Sequence, residues 1–155
     1  INPVDINGIH KHASELYLKL YSDVYNLSSC SLRLTNTIGP RMRIKDARQT
    51  FLGIWIKNLI KGTPIEVWGG EQLRDYLHSD EVVKNITKIA LQNKIDNQII
   101  NCCSGKSISV KKLVENYLNE KNYEMKLNLG YYPYPAYEPM SFWGDNSKLK
   151  QLSCE

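Results

Sequence analysis

A chain of 155 residues, 42% hydrophobic and 23% charged, can bury one ordinary core and reads as one domain or a piece of one. Its formal charge of +4 is mild and spread out, apart from Arg41-Met42-Arg43-Ile44-Lys45 and Lys111-Lys112, so no nucleic-acid partner is expected. No apolar run approaches the ~20 residues that span a bilayer and no signal-peptide pattern opens the chain, so no membrane partner and a cytoplasmic location are expected.

The chain opens at Ile1 without an initiating Met, in what reads as the middle of a domain. Pro3 to Asn7 should be extended or loop. A helix then runs from about Gly8 to Tyr25, with Ala13, Leu16, Tyr17, Leu20, Tyr21 and Val24 on one apolar face, broad enough to need two partners. Ser31 to Asn36 is β-prone, and Thr37-Ile38-Gly39-Pro40 ends that strand. The polar, basic stretch from Arg41 to Arg48 reads as a loop at a strand end, where function concentrates. Phe51 to Ile60 has Phe51, Leu52, Trp55, Ile56 and Leu59 at helical spacing and is stopped by Gly62 and Pro64.

Ile65-Glu66-Val67-Trp68 followed by Gly69-Gly70 predicts a hairpin, since paired glycines permit positive φ. Tyr76-Leu77-His78 is a short strand, after which Ser79 or Asp80 can cap a helix carrying Val82, Val83, Ile86, Ile89 and Ala90. Gln98 to Cys103 is an apolar strand, Ser109 caps a helix with Leu113, Val114, Tyr117 and Leu118 inward, and Lys126 to Tyr132 gives one more strand. Tyr131-Tyr132-Pro133-Tyr134-Pro135 excludes regular structure, and its tyrosines stack on a base or cover apolar core. A short helix from about Asn146 to Leu152 closes the chain. Cys30, Cys102, Cys103 and Cys154 lack metal-binding spacing and read as buried reduced thiols, and no metal is expected. The alternation of helices and short strands is α/β.

Gly-Gly-Glu-Gln-Leu-Arg-Asp-Tyr-Leu-His-Ser-Asp-Glu-Val over 69–82 is the most informative segment. From spacing alone, Arg74 is either one half of a plain surface ion pair beside Asp75 or a planar fork aimed at phosphate. The segment resembles a signature of the extended short-chain dehydrogenase/reductase family, the NAD-dependent nucleotide-sugar epimerases and dehydratases. Trp143-Gly144-Asp145-Asn146-Ser147-Lys148 resembles that family's closing Asp-x-Ser-Lys motif and keeps the same register.

The resemblance implies that residues 1–40 are the end of a Rossmann-type parallel-sheet domain and that residues 41–155 form a smaller mixed α/β substrate-binding domain. It implies a nucleoside-diphosphate sugar as partner, with Arg74 on the diphosphate, Asn36 of Arg33-Leu34-Thr35-Asn36-Thr37-Ile38-Gly39-Pro40 on the sugar nucleotide, and Thr37 beside the nicotinamide. Arg48 and Gln49 fall in the segment that lines the family's sugar-nucleotide cleft. Lys11 matches the family's active-site Lys, which holds the nicotinamide ribose and activates a catalytic tyrosine, but the tyrosine position is Asn7, and an amide has no titratable proton. His10 stands where the family commonly has Ser and is the nearby side chain suited by pKa to replace the base. The family's second phosphate-binding Arg aligns with Pro135. The helix from 8 to 25 matches the one that pairs two subunits, which implies a homodimer. No Gly-x-Gly-x-x-Gly occurs in the 155 residues, so NAD or NADP is expected to be held mainly by a preceding N-terminal half. Two other readings stand beside the enzyme: a catalytically silent sugar-nucleotide binder that lost its tyrosine, and a mildly basic interaction module.

Overall fold

In the computed structural model, which describes residues 2–44, 51–92 and 95–153, Asp5 is extended and accepts the Gly8 amide hydrogen at 2.7 Å. That cap starts α1 (Ile6–Tyr25) inside the stretch expected to be extended, because the carboxylate satisfies an amide that the first turn leaves open. Asn7 is therefore a first-turn helical residue. The helix ends at Asn26, whose left-handed backbone (φ 53°) closes it.

The chain then forms β1 (Cys30–Leu34) and β2 (Asn36–Ile38), separated only by Thr35. After α2 (Phe51–Lys61) come β3 (Ile65–Glu66), β4 (Leu73–Arg74), β5 (Tyr76–His78) and α3 (Ser79–Ala90). The remaining elements are β6 (Gln98–Cys102), β7 (Ile108–Ser109), α4 (Val110–Lys121), β8 (Leu127–Asn128), β9 (Ser141–Phe142) and α5 (Ser147–Ser153). Three separate parallel pairs, β1 with β6, β2 with β5 and β3 with β8, accompany a short sheet in which β4 lies between antiparallel β7 and parallel β9. The fold is mixed α/β, as the alternation of elements predicts.

Three further expectations differ in detail. No hairpin forms at Gly69-Gly70: β3 pairs with β8 and β4 with β7 and β9, so the turn separates two sheets. Gly70 (φ 83°) is used for approach rather than for hairpin closure. Its carbonyl accepts the Lys111 amide hydrogen at 2.9 Å, and a Cβ there would stand 3.2 Å from the Lys111 nitrogen. The cap of α3 is His78, whose Nδ1 accepts from the Asp80 amide at 3.3 Å, one residue before the expected Ser79 or Asp80. The strand expected over Lys126 to Tyr132 shrinks to Leu127–Asn128: Gly130 (φ 75°) breaks the extended backbone, although the Tyr131 amide beyond it still donates to the Val67 carbonyl at 3.0 Å.

Among the described residues two apolar cores result. Leu52, Trp55, Ile65, Val114 and Leu118 join α2, β3 and α4. Ile89, Ile95, Ile100 and Leu149 join α3, β6 and α5, with Cys30 and Leu32 of β1 against them. Ile100 is fully buried, and burial of such a side chain stabilises the fold by about 1.5–3 kcal/mol. The second core draws residues from both sides of position 40. Cys102 and Cys103 are buried free thiols and Cys30 is half-buried, while Cys154 lies outside the described residues.

Candidate functional site

The site begins where one strand changes partners. Along 30–38 the chain runs first beside β6 and then, past Thr35, beside β5, with Asn36 opposite Tyr76 and Ile38 opposite His78. The two sheets part at Thr35, whose amide still donates to the Cys102 carbonyl at 3.4 Å, and the chain just past β6 is left without a strand partner. Asp75 fills that gap from a wholly buried position. Its carboxylate accepts the amide hydrogens of Ser104 and Gly105 at 2.9 Å each, that of Gly144 at 3.5 Å, and the Thr35 hydroxyl at 3.2 Å. Its carbonyl accepts from both the backbone nitrogen and the Nδ2 of Asn36, each at 3.2 Å. A buried carboxylate is tolerated where several donors face it. Asp75 thus pins the ends of β2, β6 and the segment before α5 to one point.

Because Asp75 faces inward, Arg74 and Tyr76 on either side of it face the other way, into a cleft of about 270 Å³. Asn36, Thr37, Gln72, Arg74 and Tyr76 are its polar lining, with Phe51, Leu52 and Val110 among the apolar walls. Burial pushes the Tyr76 phenol above the usual tyrosine value, so it is a proton-bearing hydroxyl at neutral pH. The Arg74 guanidinium does not pair with Asp75. Its Nη1 donates to the carbonyls of Leu73 and Pro139 at 2.8 Å each, and its Nη2 donates to the Glu138 carboxylate. Both side chains of that ion pair are 15% exposed, so it is not a surface pair of the kind that spacing alone allows. Sequence reasoning missed Glu138, which lies in a Pro-rich loop without a periodic signal. It also missed the weight of Asp75, which strand alternation beside Arg74 would have turned inward.

The Pro-rich loop is tied down beside this cleft. The Tyr134 hydroxyl donates to Glu71 Oε2 at 2.6 Å and contacts Gln72 Oε1 at 3.0 Å, and it accepts the Glu71 amide hydrogen at 3.0 Å. Burial and the Glu71 carboxylate raise the Tyr134 phenol, and the same hydrogen bond lowers the Glu71 carboxyl. Its ring lies 6.0 Å from that of Trp68. Tyr134 is half-buried against Trp68, whereas Tyr131 and Tyr132 pack edge to face on the exposed surface.

Lys11 lines a different recess, a groove of about 690 Å³ between α1 and β1 that also holds Gly8, His12, Glu15, Arg33 and Phe142. Glu15 and Arg33 form a bidentate ion pair at 2.6 and 2.7 Å, and His12 Nδ1 lies 3.3 Å from the second Glu15 oxygen. The Arg33 hydrogen bonds hold the Glu15 carboxyl below the usual carboxylate range, and the pairing raises Arg33 in turn. Asn7 and His10 are exposed on α1, and neither lines the groove or the cleft. The structure therefore brings Asn36, Thr37 and Arg74 together and leaves Lys11, Asn7 and His10 on a separate element. Arg48 and Gln49 lie outside the described residues.

The parallel-paired framework places the chain in the α/β class, and comparison with known proteins makes the family specific. Residues 1–103 match the model of the NAD dependent epimerase/dehydratase family. The chain belongs to that family. It is 34% identical over 116 residues to a putative UDP-glucose 4-epimerase of Methanocaldococcus jannaschii, covering 74% of this chain and 37% of that protein. It is 33% identical over 122 residues to a dTDP-4-dehydro-6-deoxyglucose reductase of Escherichia coli, covering 78% of this chain and 36% of the relative. Among solved structures, the UDP-N-acetylglucosamine 4-epimerase of Methanobrevibacter ruminantium, in complex with UDP-N-acetylmuramic acid, superposes with a TM-score of 0.90 at 25% identity, over 99% of this chain and 48% of that one. The chain spans less than half the length of each of these relatives. No described helix is long and apolar enough to cross a membrane.

Proposed function

We propose that this chain is the C-terminal part of an NAD-dependent nucleoside-diphosphate-sugar epimerase or dehydratase, and that the 270 Å³ cleft receives the sugar nucleotide. The observation that supports it most is the convergence of Asn36, Thr37 and Arg74 on one concave surface, from strands that Asp75 fixes together. In this reading Asn36 donates to the ligand from the Nδ2 that already rests on the Asp75 carbonyl, and Arg74 meets the diphosphate. Residues 1–40 belong to the dinucleotide-binding side, joined in packing by β6 and α5, and residues 41–155 supply the sugar-nucleotide side. An extended α1 with Leu16, Leu20 and Val24 between 54% and 60% exposed is suited to pairing with a second copy, as a homodimer of a cytoplasmic enzyme.

The cofactor, NAD or NADP, supplies hydride transfer when bound. Of the residues present, Lys11 and Thr37 are the two assigned to its nicotinamide-ribose end, although they line separate recesses in this chain, and the 155 residues hold no Gly-x-Gly-x-x-Gly turn for a pyrophosphate. Most of its contacts are assigned to an N-terminal half. Lys11 lies one helical turn from Asn7 on the same face of α1, and so stands next to an amide rather than a phenol that it would activate. Asn7 supports a second reading, a catalytically silent sugar-nucleotide binder. His10 is the nearby imidazole proposed for the missing proton transfer, and it lines neither recess in this chain.

Calorimetric titration with a nucleoside-diphosphate sugar tests the reading. Arg74→Lys should weaken binding about tenfold, since a point charge cannot reproduce the planar fork. An unchanged affinity in a folded Arg74→Lys protein would remove Arg74 from the site. Asn7→Tyr in a protein carrying both halves separates the two readings: a gain in reduction of bound NAD fits a lost base, and robust turnover by the natural sequence excludes the silent binder.

A further inference from the structure

The cleft carries one cation among its described lining residues, Arg74, and that cation is already engaged. Both Nη1 hydrogens go to backbone carbonyls, and the Glu138 carboxylate holds Nη2. Glu138 and Pro139 reach Arg74 from the end of the Pro-rich loop, and that loop is fixed beside β4 by the Leu73 amide, which donates to the Met140 carbonyl at 2.8 Å. The orientation of the guanidinium is therefore set by two carbonyls that do not depend on the charge of Glu138. The carboxylate adds something else: it neutralises the cation on a shielded site where an ion pair is screened little by solvent.

We propose that Glu138 is an internal competitor for Arg74, an affinity-setting carboxylate that occupies the guanidinium in the free protein and must be displaced or opposed by an incoming phosphate. This deepens, and rests on, the reading of the cleft as a phosphate-bearing sugar site. A diphosphate entering beside an intact Arg74–Glu138 pair meets no net positive charge among the described lining residues, so its gain from Arg74 is limited to what it draws away from Glu138. Binding is then biased toward ligands whose sugar and base contribute independently, and bare phosphate is held weakly. Removing the charge while keeping the shape frees one charge-assisted donor edge.

The test compares the natural chain with Glu138→Gln and Glu138→Ala by calorimetric titration at low ionic strength, using inorganic pyrophosphate and, separately, a nucleoside-diphosphate sugar. Circular dichroism confirms that each variant is folded. Pyrophosphate should bind Glu138→Gln about tenfold tighter than the natural chain, the scale of one hydrogen bond to a charged group. Glu138→Ala should shift the same way, and Arg74→Lys combined with Glu138→Gln should lose the gain. Equal or weaker pyrophosphate binding by both Glu138 variants overturns the proposal. If the natural chain takes the nucleoside-diphosphate sugar and the variants are no tighter for either ligand, the competitor role fails while the site reading stands. If the variants gain pyrophosphate but no protein takes the sugar nucleotide, the competitor role stands and the site reading fails. Absence of binding in every protein overturns both.

Discussion

The cleft and the α1 face are both assembled from residues that a family motif marks, yet they differ in what holds them. Asn36, Thr37 and Arg74 stand on short strands whose ends converge on the fully buried Asp75. Asn7, His10 and Lys11 stand on a helix with no fully buried residue, and Leu16, Tyr17, Leu20 and Val24 on the same helix are more than half exposed. A concave surface set by buried hydrogen bonds takes its geometry from contacts within this chain. One carried on an exposed amphipathic helix takes its geometry from whatever packs over that helix.

That contrast is broken most severely at Asp75. Asp75→Ala should cost about 3 kcal/mol or more in urea unfolding, because the amides of Ser104 and Gly105 and the Thr35 hydroxyl lose a shared buried acceptor. Asp75→Asn should cost less, since an amide oxygen still accepts. A wild-type-like midpoint for Asp75→Ala would mean that the strand crossing is held by the flanking ladders alone.

Next in size is the packing beside it. Ile100→Ala, which removes a side chain with no solvent exposure between α3, α5 and β6, should lose about 2–5 kcal/mol by the same measurement. Leu16→Ala, on the exposed face of α1, should change the unfolding free energy of dilute monomer by under ~0.5 kcal/mol. A loss there approaching that of Ile100→Ala would show that α1 is packed in solution.

Between these two regions lies the Glu15–Arg33 pair, the main tie from α1 to β1. The Glu15 carboxyl is depressed in the folded chain, so its contribution to stability is full above the unfolded carboxylate value of ~4.3 and is lost as pH falls through the lower folded value. Glu15→Gln should lower stability at neutral pH by about 1 kcal/mol and flatten the acid limb of the pH profile. An unchanged acid limb would place the pH dependence on other carboxylates.

Much of this was legible in the sequence, for identifiable reasons. Helical spacing at Leu52, Trp55 and Leu59 gave α2 to within a residue, and the Ser109 cap gave the start of α4, since both signals are local. Strand partners were not legible at Gly69-Gly70, because a glycine pair permits a turn without choosing which strands lie beside it, and β3 finds its partner more than fifty residues later at β8. The same limit hid Glu138. Arg74 stood out as a site candidate from its motif, but the carboxylate that engages it comes from a loop 64 residues away with no periodicity. Asp75 looked like a neighbour of Arg74 when it is the acceptor that orders the crossing.

The most direct measurement is amide chemical-shift mapping of the isotopically labelled chain during titration with a nucleoside-diphosphate sugar and, in parallel, with NAD. Sugar-nucleotide shifts centred on Asn36, Thr37 and Gln72 to Tyr76, with NAD producing only weak changes near Lys11, are the expected result. Sugar-nucleotide shifts centred on the groove between α1 and β1, or saturable low-micromolar NAD binding by this chain alone, would contradict the assignment of the cleft as the part of the site that this chain completes.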